Sequence, residues 1–336
     1  MLYIRVDMNA VIATGHVMRC IAIADAVRAL GEETTFILAD EQAVQLLEAR
    51  GYHYIVLHTA WDCMDEEMLA LEAVIREQKI TALFVDSYQV TKNYLERLSK
   101  LVRVAYLDDL DAFAYPVDAL ICYANYWKNY SYADKTVADG VFLGSTYTPL
   151  RREFSGHGAK EIKPQVENLL LLSGGTDSYN VLAGLLAVID TEKYQHVDVI
   201  CGKYYPNYDA LCKTYADREN VHIHQAVSDM IHYMEKADLA VSAGGTTLYE
   251  LCACGTPTIS YALADNQLDN VRQFAADEMI DYAGDVRYEG TIGNIACIIE
   301  DYYSNYEERK KRSRKMQGLV DGKGAQRIAQ MLMDMC

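Results

Sequence analysis

Positive charge is what this 336-residue chain has little of: 31 Lys and Arg stand against 48 Asp and Glu, a net charge of −17. Neutralising a nucleic-acid backbone or an anionic lipid surface takes clustered Lys and Arg, so neither partner is expected. A small anionic ligand is not excluded, because a few backbone N–H groups at a helix start suffice to hold one. A run of about 18 apolar residues is also missing, so no membrane span is expected. The opening MLYIRVDMNAVIATGH lacks a basic segment followed by an apolar one, which points to a cytoplasmic protein. Low-complexity tracts and short-period repeats are absent too, so both halves should fold. The nine cysteines are odd in number and lie mostly inside apolar runs such as Leu251–Cys254, the usage of reduced thiols in a core. Cys252 and Cys254 have no second Cys or His pair at ligand spacing, so no metal is expected.

What is present is a rhythm. The length suits two domains of about 150 residues each. Short β-rich apolar runs (Leu2–Asp7, Thr34–Ala39, Tyr54–Leu57, Ala82–Asp86, Val102–Leu107, Ala119–Cys122) alternate with helical patterns (His16–Leu30, Glu41–Ala49, Glu66–Gln78, Thr91–Leu98). That alternation is the signature of βαβ units around a parallel sheet. Residues 153–167 are polar, carry Gly156, Gly158 and Pro164, and read as a linker. The rhythm then restarts at Leu169–Leu172 and continues through Ile280–Tyr282 into further helices. The expected organisation is an α/β chain of two doubly wound Rossmann-like domains facing across a cleft. They cover residues 1–152 and 168–316, and a helix in 317–336 packs back on the first.

Ligands of open α/β sheets bind beyond the carboxyl ends of the strands, which directs attention to the strand-to-helix turns. In Thr14–Gly15–His16–Val17–Met18–Arg19, Gly15 lets backbone approach a ligand, and His16 stands at a helix N-terminus that favours the neutral, proton-accepting ring. A histidine that merely caps the helix would read the same way. The second domain has two turns of this kind. Ser173–Gly174–Gly175–Thr176–Asp177 could wrap an oxyanion with backbone donors, although a plain tight turn explains it equally well. Ser242–Ala243–Gly244–Gly245–Thr246–Thr247 suits a diphosphate, and Glu250, one turn further on, could accept bonds from ribose hydroxyls or be a solvated helix carboxylate. Asn266 and Gln267 offer donors and acceptors for sugar hydroxyls. Asp86–Ser87–Tyr88 puts a phenol on the same rim as His16. Asp108–Asp109 follows the next strand; paired acids often bind metals or bases, but two in sequence point in different directions, so a structural turn fits at least as well.

Taken in order, Gly15–His16–Val17–Met18–Arg19–Cys20, Asp86–Ser87–Tyr88, Asp108–Asp109, Leu143–Gly144–Ser145–Thr146–Tyr147, Leu150–Arg151–Arg152–Glu153–Phe154, Ser173–Asp177 and Ser242–Thr246 resemble the UDP-sugar hydrolases of pseudaminic acid biosynthesis. The resemblance spans nearly the whole chain. Its members carry the two-domain glycosyltransferase type B fold and release UDP from UDP-2,4-diacetamido-2,4,6-trideoxy-β-L-altropyranose. It implies His16 as base for the attacking water, Tyr88 as its positioner, Asn266 near the sugar, and Glu250 as the ribose glutamate. Ala13 stands where the family commonly has glycine, and Val6 where a smaller residue is usual before Asp7.

The expected ligand contacts are therefore Gly15, Ser173, Gly174, Gly175, Ser242, Gly244, Gly245, Thr246, Thr247 and Glu250 toward UDP, and Asp7, Arg19, Asn266 and Gln267 toward the sugar. The chemistry needs a water activated on one face of the anomeric carbon and a stabilised UDP leaving from the other, which inverts the centre and requires no metal or cofactor. A glycosyltransferase using the same donor, or a non-catalytic nucleotide-sugar binder, would share the fold and the nucleotide site.

Overall fold

The computed structural model describes residues 1–136, 138 and 140–336. The chain forms two compact units, Met1–Arg152 with Gly322–Cys336, and Glu153–Asp321. The expected linker, 153–167, thus counts with the second unit, and the chain returns to the first at Gly322, about five residues beyond the expected position.

The first unit is built from β1 (Leu2–Val6), α1 (Gly15–Ala29), β2 (Thr34–Leu38), α2 (Val44–Glu48), β3 (His53–Val56), α3 (Met64–Gln78), β4 (Ala82–Asp86), α4 (Lys92–Leu98), β5 (Arg103–Leu107), β6 (Ala119–Cys122), α5 (Tyr132–Lys135) and β7 (Gly140–Leu143). Its seven strands are all parallel, in the order β3-β2-β1-β4-β5-β6-β7. Parallel strands covered on both faces read as continuous apolar runs, and β1, β2 and β4 are buried at every position. The sheet order reverses between β1 and β4, so the crevice rule places a ligand site where those two strands end.

Arg5, in the middle of β1, is fully buried, and a lone guanidinium there would be very costly. It is matched by a bidentate pair to Glu67 of α3 at 2.8 and 2.6 Å and a 2.6 Å bond to Asp7. Tyr94 of α4 also donates to Glu67, at 2.8 Å. One network therefore ties β1 to α3 and α4.

The second unit contains β8 (Asn168–Leu172), α6 (Val181–Val188), β9 (His196–Cys201), α7 (Tyr208–Thr214), β10 (Val221–Gln225), α8 (Met230–Lys236), β11 (Leu239–Ala243), α9 (Thr247–Cys254), β12 (Thr258–Ala262), α10 (Leu268–Ala276), β13 (Asp281–Asp285), α11 (Thr291–Ser304) and α12 (Tyr306–Gln317). Its parallel sheet runs β10-β9-β8-β11-β12-β13 and reverses between β8 and β11. Both expected glycine turns, after β8 and after β11, leave the sheet at this reversal.

The last helix, α13 (Gly324–Met335), belongs to the first unit and packs on α1. Its buried Ala325, Ile328, Ala329, Leu332 and Met335 recur at helical spacing and form one apolar stripe. This explains why α1 is apolar on nearly all sides: one side meets the sheet and another meets α13. Gly324 is required where the helix begins, because a Cβ there would stand 2.1 Å from the Thr148 carbonyl oxygen. No helix among the described residues is long and apolar enough to cross a membrane.

Candidate functional site

The site in the first unit is assembled where β1 and β4 end. Thr14 lies between the turn and α1, and the helix then presents His16, Arg19 and Cys20, spaced three and four residues apart, on one face. All three reach Asp86, the last residue of β4. His16 Nδ1 lies 2.7 Å from Asp86 Oδ1. Arg19 donates to both Asp86 oxygens, Nη2 at 2.5 Å and Nε at 2.6 Å, and the Cys20 thiol donates to Oδ2 at 3.4 Å. Asp7, Ile12, His16, Trp61, Asp86 and Tyr88 line a small niche at this point.

Electrostatics decide how the His16 ring is used. Burial alone would push Asp86 up, but the Arg19 guanidinium and His16 outweigh it and hold the carboxyl well below the usual range. Two acceptors 2.7 Å apart would repel, so Nδ1 carries the hydrogen and donates to ionised Asp86. Arg19 Nη2, which is 2.9 Å from that nitrogen, directs its hydrogen at the carboxylate. Nε2 is left as the nitrogen able to accept a proton. Tyr88 meets the His16 ring edge-on, with centroids 4.7 Å apart and planes at 85°. Its O–H donates to Asp109 Oδ2 at 3.0 Å, and burial keeps it a neutral phenol.

Two residues expected at the sugar are held otherwise. All three Arg19 nitrogens are engaged inside the protein, the third donating to Tyr123 at 2.8 Å, so Arg19 orients Asp86 and has no donor group left uncommitted. Asp7 borders the niche, but one oxygen accepts from Arg5 and the other from the Ala39 amide at 2.8 Å. Burial pushes Asp7 above the ordinary carboxylate range against the pull of Arg5. Ala13 has φ 55°, a left-handed conformation that glycine adopts without strain, so the residue type usual in similar sequences is the one this backbone favours.

In the second unit the two glycine turns differ in a way the sequence did not reveal. The carboxylate of Asp177 accepts the Val181 and Leu182 amides at the start of α6, at 2.8 and 3.1 Å. Those donors are already used, so the start of α6 is not an open anion site. Ser173 and Ser242, expected at the nucleotide, are buried beneath their turns, and the Ser242 hydroxyl donates to the Ala243 carbonyl. That burial removes both hydroxyls from the rim. Gly174 has φ 83° and, with Gly175, is approached so closely by Gly202 that a Cβ on Gly202 would lie 2.2 and 2.3 Å from their carbonyl oxygens.

The turn after β11 is the more open of the two. Thr246 at the start of α9 makes no side-chain cap, and Gly245, Thr246, Thr247 and Glu250 are all partly exposed. Gly244 is pinned from behind: its carbonyl accepts from Asn270 at 2.9 Å, and Tyr249 donates to the same Asn270 at 2.9 Å. A Cβ on Gly244 would meet Val271 at 2.2 Å and Gln267 at 3.3 Å. The Asn266–Gln267 turn and the Gly244–Gly245 turn therefore stand side by side. Gln267 itself accepts the Leu263 amide at 3.0 Å, and Asn266 is exposed. Arg287 bonds Asp265 and Asp285, both at 2.6 Å, and so holds this turn to the end of β13.

Both glycine turns of the second unit fall within residues 169–330, a stretch that matches the C-terminal domain of glycosyltransferase family 28. MurG of Acinetobacter baumannii superposes with a TM-score of 0.67 at 15% identity, covering 100% of each chain. The fold is the glycosyltransferase type B fold. The Bacillus subtilis spore coat polysaccharide biosynthesis protein SpsG is 26% identical over 204 residues, 58% of each chain. A Helicobacter pylori protein is 21% identical over 263 residues, 77% of this chain and 44% of its own. It is described as pseudaminic acid cytidylyltransferase and UDP-2,4-diacetamido-2,4,6-trideoxy-beta-L-altropyranose hydrolase. The chain spans about half the length of the curated relatives it matches.

Asp86, Asp109, Trp61 and Asn270 enter these sites without having been assigned a role from sequence. For Asp86 the available signal was its place as the last residue of a strand flanking the reversal; for Trp61 and Asn270 there was none.

Proposed function

We propose that the protein is a UDP-sugar hydrolase that releases UDP from UDP-2,4-diacetamido-2,4,6-trideoxy-β-L-altropyranose or a close relative, within pseudaminic or related nonulosonic acid biosynthesis. The observation that carries this reading is the Asp86–His16 pair, which leaves Nε2 of a niche-lining histidine as the nitrogen able to act as a base. Water gives its proton to Nε2 as it attacks the anomeric carbon, and Asp86 stabilises the imidazolium that forms. The bond from that carbon to the diphosphate oxygen breaks, and the configuration inverts. Gly245, Thr246 and Thr247 at the uncapped start of α9 are the donors assigned to the diphosphate, Glu250 to the ribose, and Asn266 to the sugar.

The test is incubation with a panel of UDP-sugars without acceptor or added metal, followed by measurement of free UDP. Release from the diacetamido sugar, abolished in His16→Ala, is expected. In heavy-oxygen water the label should enter the sugar, and label in UDP would refute attack at carbon. A transferase reading is favoured by the match to glycosyltransferase family 28. It predicts that UDP appears only when an acceptor is supplied.

A further inference from the structure

The sequence pair Asp108–Asp109 divides into two different tasks. Asp108 closes its own turn: one oxygen accepts the Leu110 and Asp111 amides, at 3.1 and 2.8 Å, and the Tyr132 hydroxyl at 2.8 Å. Asp109 makes no such turn. It is more than nine-tenths buried, its Oδ2 accepts the Tyr88 O–H, and its Oδ1 is buried without a hydrogen-bond partner among the described residues. A buried carboxylate oxygen left unsatisfied is costly, so its persistence beside the His16 niche calls for an explanation other than turn formation.

We propose that Asp109 is a positioning residue that fixes the direction of the Tyr88 hydroxyl, so that the phenol oxygen meets the attacking water as an acceptor. A phenol has one hydrogen. When Asp109 takes it, the Tyr88 oxygen has only lone pairs for any other partner. A water that gives one hydrogen to His16 Nε2 and the other to Tyr88 is left with its own lone pair for the anomeric carbon. Asp109 receives no proton from the water and bonds no substrate atom; it works through Tyr88 alone. The proposal rests on the hydrolase reading for its catalytic consequence, but the Asp109–Tyr88 coupling exists independently of it.

The groups facing Asp109 make this arrangement sensitive to pH. Burial pushes its carboxyl above the ordinary range and Asp108 beside it adds to the rise, while Arg19 and His16 from α1 and Tyr88 from the loop after β4 oppose it. Tyr123 and Tyr126, from the segment after β6, close the other side, Tyr126 donating to the Asp109 backbone carbonyl at 3.2 Å. Protonated Asp109 becomes a donor, so the Tyr88 hydrogen is free to turn toward the water and spoil its orientation. Activity should therefore fall on the acid side as Asp109 takes up its proton.

The experiment compares wild type, Asp109→Asn, Tyr88→Phe and the double variant. Asp109→Asn should lower kcat by about 10-fold or more through misplacement of the water, with KM little changed. It should also alter the shape of the acid limb of the pH profile, leaving the part that protonation of the His16 base produces. In the Tyr88→Phe background the same substitution should have almost no further effect on kcat. Independent effects that multiply would overturn the proposal. Carboxyl-carbon NMR titration supplies an arm that needs no turnover: Tyr88→Phe should raise the titration midpoint of Asp109, and an unchanged midpoint would overturn the coupling. If the wild type releases no UDP while the NMR arm succeeds, it is the hydrolase reading that has failed and not the coupling.

Discussion

Arg19 and His16, one helical turn apart on α1, converge on a single carboxylate oxygen, Asp86 Oδ1, at 2.5 and 2.7 Å. The pairing makes Asp86 both the counter-ion of a buried guanidinium and the acceptor that fixes a histidine tautomer. Asp86→Asn separates the two roles. Arg19 then keeps a neutral partner and becomes a poorly compensated buried charge, which should cost about 3–5 kcal/mol in urea unfolding. An amide N–H facing Nδ1 would favour the opposite tautomer and remove the base, with a loss in kcat on the order of 10³–10⁴, the scale seen when a triad aspartate is neutralised. A folded Asp86→Asn protein that keeps more than about a tenth of wild-type UDP release would show that Nε2 is not the base.

The same carboxyl predicts a pH dependence of stability. Because Arg19 and His16 overcome burial and hold Asp86 well below its ordinary value, the unfolded chain binds this proton at a pH where the folded chain does not. Its contribution is complete above the unfolded carboxylate value of about 3.9 and is lost as pH falls below that toward the folded value. Asp7 and Asp109, which burial holds high, act with the opposite sign: each is protonated first in the folded state. Arg19→Met removes the group that depresses Asp86, so the loss of stability between about pH 5 and pH 2 should be shallower in the variant. Thermal unfolding across that range measures it, and parallel profiles for the two proteins would refute the assignment.

How much of this could be read from the sequence depends on whether neighbours in space were also neighbours in the chain. The βα rhythm, the glycine turns and His16 at a helix start are local patterns, whereas the strand order, with one reversal per domain, came only from the structure. Asp86 lies 70 residues from His16 and Glu67 lies 62 from Arg5, so neither partnership leaves a periodic trace. Arg19 carried the opposite difficulty. An arginine beside a candidate site suggests ligand binding, and only the depth of its burial shows its donors to be engaged within the protein. Asp177 was hidden in another way: the sequence showed it only as part of a glycine turn, whereas its oxygens satisfy the amides of α6.

Gly202 offers a test of the nucleotide half of the reading. A methyl there would press on the backbone carbonyls of Gly174 and Gly175, which have no flexible side chain to move aside. Gly202→Ala should therefore displace that turn and lower stability, while UDP binding measured by calorimetry stays unchanged, because the proposed diphosphate seat is the start of α9 and the α6 amides are taken by Asp177. Gly293, inside α11 with nothing within 4 Å of its missing Cβ, is the matched control. Gly293→Ala should leave UDP binding unchanged and raise stability by about 0.5–1 kcal/mol through helix propensity. A folded Gly202→Ala protein with weakened UDP affinity would instead bring the turn after β8 into the nucleotide site, which the proposal leaves out of it.

The C-terminal helix is expected to support the stability of the first unit without setting the geometry of the site. Leu332 is buried on the α13 stripe, and α13 packs on α1, the helix that presents His16, Arg19 and Cys20 to Asp86. Leu332→Ala removes buried methyl groups and leaves a cavity, for which the cost is about 2–5 kcal/mol. Gln330, exposed on the same helix, should cost less than about 0.5 kcal/mol when changed to Ala. The three residues of α1 are fixed to Asp86 by their own hydrogen bonds, so UDP release by Leu332→Ala at a temperature where it is fully folded should match wild type. Near its lowered Tm, activity should fall in proportion to the folded fraction. A kcat deficit in the fully folded variant would instead show that α13 sets the angle at which α1 delivers His16.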